Sequence, residues 1–206
     1  MKDGSDPEYL DALTDQLRAL SELLVQEGLT PHNEPRTAGP AVDRARIGSV
    51  PYSFVHYLRR AYARAREYPE QPLTPVADGD RASDDPTINL VGSTFDSHLI
   101  CHSDCEGFYV PVEFDEVLFV GEDVDIAGGM VGSSQALVRE LVYVAPYLGI
   151  ALVDGELSDA EISRIRTMLG SDANASHPFD RELITWLLLF EAARVSIENG
   201  TVIEFG

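Results

Sequence analysis

The densest chemistry in the chain lies in Ser97-His98-Leu99-Ile100-Cys101-His102-Ser103-Asp104-Cys105-Glu106, which holds two of the five histidines and both cysteines. Thiolate and imidazole are zinc ligands, so His98, Cys101, His102 and Cys105 are the set from which a tetrahedral site would be drawn. Their order, H-x2-C-H-x2-C, matches none of the common zinc spacings. If this stretch is a strand, His98 and His102 share one face and Cys101 takes the other, because side chains alternate. The expectation is packed side chains and no metal. The same turn offers a second chemistry: His102, Asp104, Cys105 and Glu106 at a hairpin tip could activate the Cys105 thiol as a nucleophile. Asp96, Asp104 and Glu106 oppose this, since negative neighbours raise a thiol pKa. Asp104 and Gly107 as turn formers, with Cys105 a small neutral filler, is the simpler expectation.

A second constellation runs from 121 to 135. Glu122, Asp123 and Asp125 precede Gly128, Gly129 and Gly132, and Ser133 and Ser134 follow. No lysine follows the glycines, so the phosphate-loop signature is absent. Counted from Asp123, the fifth and twelfth positions of a calcium loop would be Ala127 and Ser134, neither a carboxylate. A surface loop capped into a helix by Ser133 or Ser134 is expected. G-x-S-x-G, H-E-x-x-H, C-x-x-C and dinucleotide glycine patterns are all missing, and no cofactor is expected.

Charge carries more information than any motif. The 206 residues include 35 acids against 15 lysines and arginines, a formal net charge of -20, and Lys2 is the only lysine. Such an excess repels phosphate backbones, so binding to nucleic acid is not expected. The charge is also uneven. Residues 35–66 carry seven arginines against Asp43 alone, whereas residues 67–138 carry fifteen acids against Arg81 alone. Opposite blocks in one chain can pair internally, but here the acids outnumber the arginines. The remainder points to a non-enzymatic, inhibitor-like or neutralising module that engages a basic protein partner through Asp115, Glu116, Glu122, Asp123 and Asp125. The alternative is a small hydrolase or metal-assisted enzyme centred on the His102–Cys105 turn.

The elements that must position these residues follow from periodicity. Leu10, Leu13, Leu17, Leu20 and Leu24 give a helix over 7–28, with Gly28 as its stop. Prolines and glycines make 30–48 a loop, and 52–67 reads as a second helix ended by Pro69 and Pro72. Short strands are expected at 88–91, 95–102, 108–114 and 117–120, the middle two as a hairpin. Helices follow at 133–148, at 158–169 behind a Ser158–Glu161 capping box, and at 178–198 as a core helix with Leu188 in its buried stripe. Short strands are expected at 150–153 and 201–205, the last after the Asn199-Gly200 turn. The fold class is α+β: a helical N-terminal region, then a small mixed or antiparallel sheet packed against C-terminal helices. The expected division is a helical region with proline-rich loops at 1–86 and an α+β core domain at 87–206. Two cysteines cannot build a secreted disulfide framework, no apolar run reaches the roughly 18 residues of a membrane span, and the first residues lack a basic, apolar leader. A soluble cytoplasmic chain is expected.

Overall fold

The structure is a computed structural model that describes residues 7–37, 39–121, 124–170 and 177–205. Helices α1 (Pro7–Gln26), α2 (Tyr52–Glu67), α3 (Pro86–Gly92) and α4 (His98–Cys101) precede strands β1 (Gly107–Val110), β2 (Leu118–Phe119) and β3 (Met130–Ser133). Then come α5 (Ser134–Val144), α6 (Asp159–Gly170), α7 (Asp180–Asn199) and β4 (Ile203–Phe205). The strands form one sheet in the order β2-β3-β1-β4. β1 runs parallel to β3, while β4 and β2 lie antiparallel to their neighbours. The chain is therefore α+β with helices at both ends, as its pattern implies. No helix among the described residues is long and apolar enough to cross a membrane.

Alternation along β1 divides the core in two. Phe108 and Val110 turn to one face, where Leu20, Leu23 and Leu24 of α1 cover them together with Val131. Tyr109 turns to the other, where Leu58 of α2, Leu141 of α5 and Trp186 and Leu187 of α7 pack. Trp186 donates its indole N–H to the Leu141 carbonyl at 2.8 Å, so its one polar atom is satisfied inside the core. β1 and β3 approach so closely over Tyr109 that a Cβ at Gly132 would meet the tyrosine ring at 2.4 Å. Only glycine fits there.

α7 is the core helix its sequence implies, but its buried side is rotated from the expected stripe. Leu183, Trp186, Leu187, Phe190 and Ala193 are buried, whereas Leu188 is only partly so. Leu187→Ala should cost about 2–5 kcal/mol, the usual loss for a fully buried leucine. Leu188→Ala should cost less than half as much in the same denaturant titration. Equal losses would mean that the rotation is wrong.

The expected hairpin does not form. Residues 88–91 lie in α3, and 98–101 make the single turn of α4. Asp85 caps α3 by accepting from the Thr87 N–H, with Pro86 at the first helical position, and Ser97 caps α4 by accepting from the Ile100 N–H. These caps decide the local conformation against the apolar pattern that reads as strand. β1 pairs instead with Met130–Ser133, a stretch read from its glycines as loop. Residues 150–153 contribute only an isolated bridge, Val153 to Glu156.

Candidate functional site

The His/Cys cluster is tied into the fold rather than aimed at solvent. His98 is buried on α4, and its Nδ1 accepts the Ser133 N–H at 2.9 Å. That leaves the ring proton on Nε2, which faces the Asp115 carbonyl at 3.2 Å. Burial pulls the His98 pKa down to about 4. His102 stacks on Tyr109 with ring centroids 4.1 Å apart, and both of its nitrogens lie against carbonyl oxygens, those of Ser103 and Phe108. Burial holds His102 at about 4 as well. Cys101 is half-buried, and burial raises its thiol pKa. Cys105 is exposed and its thiol lies 3.7 Å from the Ser103 hydroxyl, while Asp104 pairs with His56 at 3.0 Å and Glu106 is exposed. Among the described residues, no base is hydrogen-bonded to the Cys105 thiol. The helical turn at 98–101 also removes the strand alternation that had separated Cys101 from the histidines. Among the described residues no group of three or more His, Cys, Asp or Glu is arranged to hold a metal ion.

Glu140 explains why α4 exists at all. Its buried carboxylate accepts the N–H groups of His98 and Leu99 and the Ser97 hydroxyl, which supplies the first turn of a one-turn helix with partners. Burial raises its pKa to about 7 against the pull of those donors.

Much of the arginine block is used internally, although Arg36 and Arg46 are exposed with no ion pair among the described residues. Arg59 donates to the Leu99 and His102 carbonyls, Arg60 and Arg64 share Asp85, and Arg66 pairs with Asp96. Arg139 holds Glu113 and Asp115 at 2.9 Å each. Of the acids proposed from sequence as a binding face, Asp115 is therefore exposed but paired. Glu116 and Asp125 are exposed with no ion pair among the described residues, and Glu122 and Asp123 lie outside the described residues.

Sequence reasoning missed a more regular array. Glu8, Asp11, Asp15 and Glu22 fall within about 60° of arc on α1 at 100° per residue, and span about 21 Å along its axis. All four are exposed, on the side opposite Leu20, Leu23 and Leu24, which fix the helix to the sheet. Asp15 has an exposed partner, Arg18, at 2.8 Å, a pair of small energetic weight. Gln16 accepts the Ala127 N–H at 3.0 Å and Tyr9 donates to Glu204, so α1 is tied at two further points. The signal was available: acids three, four and seven apart, opposite the leucines. The larger block at 67–138, with fifteen acids against one arginine, obscured it.

The family described as "Putative DNA-mimic protein" matches residues 2–205. The chain belongs to this family. Neither curated proteins nor solved structures gave a match. Membership corrects two expectations. An inhibitor-like or neutralising module, with a partner defined only as a basic protein, is replaced: the family is described by its likeness to DNA, and net charge alone cannot distinguish the two. The small hydrolase at the His102–Cys105 turn is replaced too, and His102 with both nitrogens against carbonyls gives the physical reason.

Proposed function

We propose that the chain works in the cytoplasm as a DNA mimic: its carboxylates stand in for phosphates and occupy the DNA-contacting surface of a DNA-binding protein. The observation that carries this reading is membership of the DNA-mimic family over nearly the whole chain. The row on α1 and the acids on either side of β2 supply the charge. Carboxylates, like phosphates, accept the paired N–H groups of arginine. Because α1 is fixed by its leucines, the row does not have to be ordered on binding, which lowers the entropic cost of association. Self-repulsion between two polyanions keeps the chain itself off DNA.

The test is displacement of a short labelled duplex, at low salt, from two purified proteins: the histone octamer and a minor-groove bending protein of the HU class. The chain in excess should release the duplex from at least one of them. A variant carrying Asp11→Asn, Asp15→Asn and Glu22→Gln should do so about tenfold less well, since three contacts of about 0.5 kcal/mol each amount to that factor. No release from either protein would defeat the reading.

A further inference from the structure

Phe95 and Phe119 are 57% and 50% exposed and touch edge to face, with ring centroids 5.4 Å apart at 86°. Folding leaves this pair in water. Phe95 is held there by a φ of 57°, a backbone region that bulky side chains avoid. Phe119 lies on the edge strand β2, where its neighbours Leu118 and Val120 pack beneath α1 and alternation turns Phe119 to the opposite face. The surroundings are acidic. Asp96 follows Phe95 directly but is held by Arg66, and Asp115 before β2 is held by Arg139, whereas Glu116 and Asp125 are exposed with no ion pair among the described residues and keep the balance negative.

Charge decides what can cover these rings. A second copy of the chain in a two-fold contact would set the same carboxylates against one another. An apolar centre with an acidic rim instead matches a basic surface from which an apolar side chain projects. Some DNA-binding proteins have that construction: they hold the backbone with arginine and lysine and insert Phe, Leu, Ile, Met or Pro between base steps of the minor groove.

We propose that the Phe95–Phe119 pair anchors a DNA-binding protein of this wedge-inserting type. Its apolar wedge packs on the two rings while the rim carboxylates take its arginines and lysines. The inference rests on the DNA-mimic reading and names the partner class. Anchors of this kind sit at the centre of an interface and govern dissociation, whereas rim charges govern encounter and salt dependence.

The same two probes separate the possibilities, because HU-class proteins insert apolar wedges whereas the histone octamer holds DNA by its backbone without base-specific contacts. The chain should displace the duplex from the HU-class protein, and F95A and F119A should each weaken that displacement about tenfold or more with an unchanged salt slope. E116Q combined with D125N should flatten the salt slope instead. Phe95→Gly removes the ring but suits the positive φ, so it should match F95A in binding without lowering the unfolding midpoint. Phenylalanine variants as effective as the parent, or displacement from the octamer alone, would overturn the anchor and leave the mimic reading standing. Failure with both proteins would defeat the mimic reading itself.

Discussion

Replacing Glu191 with glutamine should cost about 3–5 kcal/mol of folding stability, the range for breaking a buried ion pair by removing one partner. Glu191 is fully buried on α7 and accepts from the backbone N–H, Nε and Nη2 of Arg44 and from Nε and Nη2 of Arg194. Arg44 also reaches Asp159 on α6 at 3.0 Å, so one guanidinium joins the proline-rich loop to two helices. Glutamine would leave both arginines beside a neutral group and would add an amide with no acceptor provided. Burial alone would raise the Glu191 pKa, but the hydrogen bonds from Arg44 and Arg194 overcome it and hold the carboxyl at about 2. A carboxyl held below its unfolded value of about 4.3 stabilises the fold above that pH and loses its contribution as pH falls toward the folded value. The gap between parent and variant should therefore be full at neutral pH and shrink between about pH 4.3 and about pH 2. Denaturant titrations at neutral and acid pH measure it. A gap below about 1 kcal/mol at neutral pH, the value of an exposed pair, would mean that the network does not hold the loop.

Some of this architecture could be read in the sequence because its cause is local. The leucines of α1, the Ser158–Glu161 cap of α6 and the Asn199-Gly200 turn before β4 each carry their own signal. α3 and α4 had local signals too, in Asp85-Pro86 and Ser97, but the apolar run at 88–91 and the stretch at 95–102 read as strands. The stability of α4 is not local at all, since it depends on Glu140, about forty residues further along the chain. The parallel pairing of β1 with β3 is likewise set by what covers the sheet, and the glycines of β3 look like a loop until Tyr109 is seen lying across Gly132. At the candidate site, composition gave the sign of the charge and the arginine pairing absorbed part of it. Which acids remain available depended on Arg139 and on the outward face of α1, neither of which block counting resolves.

Raising salt from about 50 to about 200 mM should shift competition between this chain and DNA in the chain's favour. Duplex DNA carries one charge per about 1.7 Å of axis and with it a condensed atmosphere of counterions, whose release drives protein binding. A DNA-binding protein with 6–10 phosphate contacts therefore loses about 10³–10⁵ in affinity over that salt range. The α1 row offers four carboxylates over about 21 Å, where a duplex of equal length carries about twelve charges. Even at the full slope of about 0.9 per contact, these four together with Glu116 and Asp125 beside β2 lose at most about 10³, the lower end of that range. The Phe95–Phe119 contact adds affinity that salt does not screen. A displacement titration against the HU-class protein at both salt concentrations should therefore need less of the chain, relative to duplex, at the higher one. If the ratio required is unchanged, the chain carries as many ion-releasing contacts as DNA does. Its acidic surface would then extend well beyond the α1 row and the rim of β2.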